Sequence, residues 1–193
     1  MAWTPPATFT AGVQALASWM NTYVRDNLTA LWAGTTPGDM DYYSSSTTKN
    51  RFAMGTAGQV VRANSAASAP EFGDNAWELS LPLGNAVDLV TTGIKYDIEI
   101  PQAVTIDRVT LTSRETGSIV VDLWVDTYAN FPPIVADTIC ASAKPTISGA
   151  SKYQDATLTG WSKNIAAGSF LTVNVTSVAT FTQCWVHIKG RKI

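Results

Sequence analysis

The stretch GSIVVDLWVDTYANFPP, residues 117–133, decides the fold class of this chain. Its first ten residues alternate between two faces, with Ile119, Val121, Leu123 and Val125 on one and Val120, Asp122, Trp124 and Asp126 on the other. An alternation of period two that is rich in β-branched residues predicts a strand with one buried face. Pro132 and Pro133 cannot donate hydrogen bonds to a sheet, so we expect the strand to end in a rigid aromatic loop.

The composition favours an all-β protein with a polar, weakly charged surface. Charged residues make up 15% of the 193 residues, against about 25% in ordinary soluble domains. A formal net charge of -2 and the lack of a basic cluster argue against a nucleic-acid partner. No run approaches the ~18 apolar residues of a membrane span, and the first residues lack the pattern of a secretory signal. We therefore expect no membrane insertion.

Residues 1–34 form the first predicted domain, an extended arm followed by an amphipathic helix over residues 11–32. Pro5 and Pro6 exclude helix from the arm, whose apolar residues are Trp3 and Phe9. In the helix, apolar residues recur at intervals of three and four, at Val13, Leu16, Met20, Val24, Leu28 and Leu31. The chain has no second predicted helix. This stripe must therefore pack on the C-terminal domain, on copies of itself in a short trimeric bundle, or on another protein.

Residues 35–76 form the second predicted domain, an extended linker rich in Gly, Ser and Thr. Its apolar residues fall in short islands at residues 40–43, 52–54 and 60–61. A segment of this length without a regular pattern needs a partner to hold it in one conformation. We predict short β-arches that are each buried against a neighbouring chain, and this need favours a homotrimer.

Residues 77–193 form the third predicted domain, a C-terminal antiparallel β-sandwich of jelly-roll-like type. Turn residues separate strand patterns over residues 86–91, 94–100, 104–113, 117–127, 138–141, 152–158, 170–177 and 181–189. Seven or eight short strands without an intervening helix are typical of such a sandwich. The inward rows are Ile94, Tyr96, Ile98 and Ile100; Leu171, Val173 and Val175; and Cys184, Val186 and Ile188. Val104 and Ile106 share a face with Val109 and Leu111 only if one extra residue intervenes, which predicts a β-bulge at Asp107–Arg108.

Residues 38–73, GDMDYYSSSTTKNRFAMGTAGQVVRANSAASAPEFG, resemble the linker repeat of bacteriophage tail-fibre and other virion-appendage proteins. The matching features are Gly38-Asp39, Tyr42-Tyr43, Arg51, Met54-Gly55-Thr56, Gly58-Gln59-Val60-Val61 and Ala69-Pro70-x-Phe72-Gly73. The segment NTYVRDNL, residues 21–28, resembles the helix before that repeat. SIVVDLWVDTYANFPP, TICASAKPTIS, TLTGWSKNIAAG and FLTVNV resemble the terminal β-sandwich of the same kind of protein. The resemblance implies a virion protein, assembled in the host cytoplasm, with other capsid or tail proteins as partners.

The inventory of reactive side chains argues against an enzyme and against a cofactor or metal. His187 is the only histidine, and no serine lies in a G-x-S-x-G elbow. Glycine-rich nucleotide-binding loops are absent from the sequence. Asp122 and Asp126 would stand roughly 13 Å apart on one face of a strand, too far for a glycosidase pair. Cys140 and Cys184 are too few for a zinc site, and we interpret them as small buried hydrophobic residues.

The candidate ligand-binding residues are Trp124, Tyr128, Trp161 and Trp185. An aromatic ring beside Asp or Asn can stack on the apolar face of a sugar while polar neighbours bond its hydroxyls. Trp124 and Trp185 lie on outward strand faces, and Trp161 lies in a loop. For Trp124 we favour the alternative, packing against another copy or beneath the loop at residues 128–133. The loops at residues 128–137 and 149–155 are the candidates for a variable binding surface.

These features together predict a short phage fibre or appendage without enzymatic activity. Its N-terminus would anchor the chain to the particle through Trp3, Phe9 and the helix stripe, and its distal sandwich would contact the host surface, where a glycan is the candidate receptor. The alternative is a capsid decoration or tail-structure protein with a purely architectural role. A free-standing carbohydrate-binding module is disfavoured, because such a module would not need the helix and the linker.

Overall fold

The structure, a computed structural model, describes residues 8, 12, 14, 16–30, 34–46 and 48–193. The chain divides into two compact units, Met1–Gly73 and Asp74–Ile193. The described residues lie mainly in β-strands, together with one short helix. Within the described part of the chain, no helix has both the length and the apolar character needed to cross a membrane.

The helix of the N-terminal unit, α1, consists of the α-helical segments Ala17–Met20 and Asn27–Ala30 and the π-helical segment Asn21–Asp26 between them. It begins at Ala17 rather than at the predicted residue 11, because Leu16 has an extended backbone with φ -78° and ψ 146°. The predicted apolar residues Trp3, Phe9, Val13 and Leu31 lie outside the described residues.

The π-helical segment keeps the apolar residues of α1 on one face. In an α-helix of 3.6 residues per turn, a step of four residues overshoots a full turn by about 40°. The wider π turn, whose hydrogen bonds reach the fifth residue, removes part of this drift. Met20, Val24 and Leu28 recur every four residues along α1, and Leu16 directly precedes it; we call these four residues, Leu16 first, the helix stripe. Their side chains are 52%, 50%, 44% and 59% exposed in the structure.

Two antiparallel hairpins follow the helix in the N-terminal unit. Strands β1 (Met40–Tyr43) and β2 (Lys49–Phe52) form the first hairpin, and β3 (Gln59–Ala63) and β4 (Pro70–Asp74) form the second. The rings of Phe52 and Phe72 stack at a centroid distance of 4.6 Å and join the two hairpins. The predicted islands are therefore paired within a single chain, although Met54, Val60 and Val61 remain exposed.

One carboxylate fastens the first hairpin to the segment that precedes it. Asp39 accepts hydrogen bonds from the backbone N–H groups of Thr35 and Thr36 at 2.9 and 2.8 Å, and from that of Met54 at 3.1 Å. Arg51 on β2 donates to the same carboxylate from both Nε, at 2.6 Å, and Nη2, at 3.2 Å. The Arg51 guanidinium, together with these N–H groups, holds the pKa of Asp39 well below its usual range. Gly38-Asp39 and Arg51, singled out by the sequence resemblance, thus meet in one polar clip.

The C-terminal unit is built from seven strands. They are β5 (Ala76–Gly84), β6 (Gly93–Ile100), β7 (Val104–Thr127), β8 (Thr146–Asp155), β9 (Asn164–Ile165), β10 (Ser169–Ala179) and β11 (Gln183–Lys192). They join in one curled sheet of order β5-β11-β7-β10-β6, with β8 and β9 on the other edge of β7. All described pairings within this sheet are antiparallel.

Strand β7 organises this sheet, because its two halves pair with different neighbours. The first half, up to Thr112, pairs with β11, and the second half, from Ser118, pairs with β10. Between them, residues 113–116 of β7 stand opposite the single residue Ser151 of β8. We call residues 113–117 the β7 corner. A Cβ atom on Gly117 would lie only 2.7 Å from the Ala179 carbonyl oxygen, so glycine allows the end of β10 to approach the corner.

One hydrophobic core is shared by both halves of β7. Val104, Ile106, Val109 and Leu111 from the first half and Ile119, Val121 and Leu123 from the second are all 0–1% exposed. The predicted inward rows on β10 and β11, Leu171, Val173 and Val175 and Cys184, Val186 and Ile188, are confirmed at the same level of burial. Period-two alternation thus identified the core faces correctly.

The predicted β-bulge is confirmed at Asp107. Lys189 of β11 pairs with Arg108 and the next residue, Gly190, pairs with Ile106, so Asp107 is the extra residue. Asp107 forms an ion pair with Arg191. A second bulge was not predicted: Val173 pairs with Tyr96 and Asn174 with Ile94, which leaves Lys95 unpaired. Because this bulge reverses the alternation, the prediction that Ile94 faces inward is wrong, and Ile94 is 50% exposed.

Two predicted strands are absent, and two others are a single strand. Residues 86–91 form a loop, because the Asn85 side chain accepts hydrogen bonds from the Val87 and Asp88 N–H groups and closes a turn. Residues 138–141 make only an isolated bridge, between Thr138 and Trp124. The patterns at residues 104–113 and 117–127 are one strand, β7. Strand β5 was missed, although its sequence alternates; it is an edge strand, which tolerates Pro82.

Candidate functional site

The β7 corner opens a cleft on the surface of the C-terminal unit. The pairing of β7 with β11 ends at Thr112 and Trp185, and beyond that point β7 turns away while β11 begins at Gln183. The gap between the two strands has a volume of about 380 Å³, within the range of small-ligand sites. We call it the corner cleft; it is lined by Ala86, Thr112, Ser113, Arg114, Glu115, Thr182, Gln183 and Trp185.

On the floor of the corner cleft, where β7 and β11 no longer pair through their backbones, side-chain hydrogen bonds connect the two segments. Ser113 Oγ donates to the Gln183 carbonyl oxygen at 2.7 Å and accepts from the Glu115 N–H at 3.0 Å. The two carboxylate oxygens of Glu115 accept from the Thr182 N–H and from Thr182 Oγ1, each at 2.6 Å. This network fixes the width of the cleft where no regular pairing does so.

The same network keeps Glu115 ionised. Hydrogen bonds from the hydroxyl and the N–H group of Thr182 hold the pKa of Glu115 below its usual value, against the opposing effect of burial. The carboxylate is therefore engaged in the floor of the cleft. It serves as a structural acceptor, with each of its two oxygens occupied.

Trp185 and Arg114 are the lining residues that remain open to a ligand. The Trp185 indole is 38% exposed and stacks on the His187 ring, with an interplanar angle of 11° and a centroid distance of 6.2 Å. His187 is itself held on both ring nitrogens, 2.9 Å from Ser80 Oγ and 3.1 Å from Thr112 Oγ1. The Arg114 guanidinium, which is exposed, forms no hydrogen bond or ion pair with any described residue. The cleft is therefore lined by the Trp185 indole, whose orientation is fixed by its neighbours, and by the Arg114 guanidinium, whose charge no described residue neutralises.

Trp124, in contrast, is only 8% exposed and cannot offer a ring face to a ligand. It lies on the outward face of β7, as predicted, but residues 138–145 run along the edge of this half of the strand, and the Thr138 and Lys144 side chains reach over to the outward residue Asp122. Its neighbour Asp122 is fully buried, 2.7 Å from Lys144 Nζ and 2.6 Å from Thr138 Oγ1. The Trp124 N–H faces the same carboxylate without reaching hydrogen-bond geometry.

The ion pair of Asp122 and Lys144 fastens this covering segment to β7. Burial of Asp122 alone would raise its pKa, but the contacts with Lys144 and Thr138 outweigh burial and hold the pKa below its usual value. Lys144 keeps part of its side chain in solvent, with 28% exposed, so only one partner is fully removed from water.

Trp161 is also buried, so in this structure its ring offers no open face to a ligand. It is 7% exposed, belongs to the hydrophobic core, and donates from Nε1 to the Ala143 carbonyl oxygen at 2.9 Å. Tyr128 is 77% exposed, in a short 3₁₀ turn beside Phe170 at the start of β10. The corner cleft includes Thr182, which follows the other end of β10, so Tyr128 and Trp185 belong to different surfaces.

The two cysteines are buried and not bonded to each other, which confirms their interpretation as small core residues. Burial raises the pKa of Cys140 to about 12 and that of Cys184 to about 11, so neither thiol is a nucleophile near neutral pH. Among the described residues, no group of three or more His, Cys, Asp or Glu side chains is placed to hold a metal ion.

Sequence reasoning found Trp185 but missed Arg114, Glu115 and Thr182. Residues 114–116 fall between the predicted strands 104–113 and 117–127, and no role was predicted for them. The signal that was available is the run of four polar residues between two apolar alternating patterns that share one face. No family model, no curated protein and no solved structure matches this chain.

We predict that Lys144→Met lowers the free energy of unfolding by about 2–4 kcal/mol, because it leaves a buried carboxylate without its cation. Urea denaturation followed by tryptophan fluorescence measures the change. Lys152→Met, on an exposed lysine of β8, is the matched control and should change the stability by less than about 0.5 kcal/mol. Equal effects of the two substitutions would show that the ion pair does not stabilise the covering segment.

The same pair predicts a pH dependence. The pKa of Asp122 is lowered in the folded state, so the stabilisation is present above the usual carboxylate pKa, about 4, and is lost as the pH falls through the lower folded value. The stability difference between wild type and Lys144→Met should therefore shrink below pH ~4. A difference that stays constant down to pH ~2 would contradict this assignment.

Proposed function

We propose that this chain is a non-enzymatic virion protein of a bacteriophage, a short appendage fibre that is anchored by its N-terminal unit and contacts the host surface with its C-terminal unit. The observation that carries the proposal is the helix stripe. Met20, Val24 and Leu28 recur every four residues along the N-terminal helix, Leu16 directly precedes it, and each of the four side chains is between 44% and 59% exposed. A face of this kind is buried against another chain in a working assembly.

A binding role fits the C-terminal unit better than catalysis. The corner cleft offers a held indole and a guanidinium, whereas Glu115 is committed to Thr182. The only histidine has both ring nitrogens next to hydroxyl groups and does not line the cleft. An aromatic platform beside polar groups suits weak contact with a host glycan, and several copies would raise the avidity of such a contact.

The curled sheet supports the proposal of a jelly-roll-like sandwich. In this interpretation, β5, β11 and the first half of β7 form one layer, and β6, β10 and the second half of β7 form the other. Both halves of β7 contribute to one core cluster, as two facing layers require. The β7 corner would then be the place where one strand passes from layer to layer.

A homotrimer accounts for the helix stripe with no other partner. Three copies of α1 around a threefold axis would bury the stripe in a short bundle. Exposed Met54, Val60 and Val61 on the hairpins would gain neighbours in the same assembly. Other virion proteins, of the capsid or the tail, would then bind the outside of the bundle or the preceding arm.

The trimer predicts that Val24→Glu produces single chains. Three charges brought together at a threefold axis would oppose association, whereas in the single chain the side chain at position 24 is already 44% exposed. Light scattering during size-exclusion chromatography should give three chains for wild type and one for the variant. The matched control is Thr22→Glu, at an exposed position outside the stripe, which should remain trimeric. Wild-type protein that is monomeric at micromolar concentration would overturn the trimer.

Host contact predicts that the purified full chain competes with phage for adsorption to host cells. Trp185→Ala should weaken this competition about tenfold or more, because it removes the aromatic platform of the cleft. Tyr43→Ala, which removes an exposed ring that does not line the cleft, is the control and should compete like wild type. A full chain that does not compete at all would contradict host contact.

The alternative is a capsid decoration or tail-structure protein with a purely architectural role. The observation that favours it is an exposed apolar loop at the start of β10. Tyr128, Phe131, Ile134 and Val135 are between 46% and 77% exposed there, and Phe131 packs edge-on against Phe170 at 4.9 Å. Such a surface suits contact with neighbouring subunits. In that case Tyr128→Ala would reduce the incorporation of the chain into particles, and Trp185→Ala would leave both incorporation and adsorption unchanged.

A further inference from the structure

We propose that the corner cleft selects a sugar that carries a carboxylate group. This inference rests on the proposed host contact and names the class of ligand for the same surface. In the proposed mode, the apolar face of the sugar ring lies on the Trp185 indole, and the ring carboxylate receives hydrogen bonds from the Arg114 guanidinium.

The aromatic contribution follows from the way in which Trp185 is held. Its ring stacks on His187, and His187 is fixed between the hydroxyl groups of Ser80 and Thr112. The indole therefore loses little conformational entropy when a ligand binds, since its orientation is set before binding. A ring that is 38% exposed and flanked by a cleft can cover one face of a pyranose.

The charge selection follows from the different states of Arg114 and Glu115. Both carboxylate oxygens of Glu115 are already engaged by Thr182, whereas the Arg114 guanidinium has no partner among the described residues. The five N–H donors of an arginine match the two oxygens of a carboxylate in a bidentate contact. A neutral sugar would leave this cation unpaired, and a cationic ligand would be repelled by it. The free donor set therefore favours an acidic sugar.

The position of the cleft explains why these groups are available to a ligand. Residues 113–116 have no pairing partners on β11 and stand opposite a single residue of β8, so side chains of both faces of β7 reach the surface together. Elsewhere on β7 successive side chains point to opposite faces. The corner is thus the reason why Arg114 and Glu115, neighbours in sequence, line the same cleft.

A direct test measures binding of the full chain to a panel of acidic saccharides and their carboxyl-reduced counterparts. The probes are oligosaccharides that contain glucuronate, galacturonate or N-acetylneuraminate, each paired with the reduced form in which the carboxylate has become a hydroxymethyl group. Binding is followed by ligand-observed NMR, through saturation transfer from the protein to the saccharide, a readout that works equally in every variant. At least one acidic member should bind, and its reduced counterpart should bind about tenfold more weakly or worse.

The variants separate the two parts of the site. Arg114→Gln should abolish the preference for the acidic member, and Trp185→Ala should abolish binding of both members of the pair. Lys163→Gln removes the same charge from an exposed position outside the cleft and should keep the wild-type preference. Equal binding of acidic and reduced sugars, a preference that survives in Arg114→Gln, or no binding of any acidic member would each overturn the proposal.

Failure of this proposal is distinguishable from failure of the proposed function. If Trp185→Ala weakens competition for host cells while the panel shows no preference for acidic sugars, host contact stands and only the selection of a carboxylate falls. If the full chain does not compete for host cells at all, yet binds an acidic sugar through Arg114, the cleft is a saccharide site without a role in adsorption.

Discussion

The continuity of β7 through its corner is the constraint on which the C-terminal unit depends. A strand of 24 residues can bury the apolar residues of both its halves in one core only if the sheet curls around that core. The extra residue at Asp107 and the unpaired residues 113–116 supply the change of direction. Because both halves remain anchored in the same core, the corner is placed by the apolar residues on either side of it.

The corner also separates two kinds of polar group on β7. At the corner itself, Glu115 and Ser113 are used to bridge the gap to β11, and Arg114 is left free beside Trp185. On the second half of the strand, Asp122 is covered completely and neutralised by Lys144. The same strand thus presents an open polar cleft at one place and a closed ion pair at another. The two places differ because residues 138–145 run beside the second half of β7, whereas no described segment covers the corner cleft in the same way.

The buried face of each strand could be predicted from the sequence, but the segments that cover the opposite face could not. Alternation placed Val121, Val173 and Val186 in the core, and the break at Asp107 was visible as a change of register. Trp124 was placed on the correct face, yet its burial depends on residues 138–145, whose path no local pattern encodes. Residues 114–116 lie outside the predicted strands, because polar residues are as typical of a turn as of an exposed corner. The exposure of the helix stripe likewise could not be predicted, because the apolar spacing of Met20, Val24 and Leu28 fits a buried face as well as an exposed one.

Native-state hydrogen exchange tests the continuity of β7 most directly. If one core holds both halves of the strand, the amide protons of Val109 and Val121 should exchange with the same free energy of opening, within about 1 kcal/mol, and both should follow global unfolding. This result is what the curled sheet predicts. If Val109 exchanged together with β5 and β11 at a clearly lower free energy while Val121 stayed protected, the two halves would belong to separate folding units, and the corner could not be the fixed frame of a cleft.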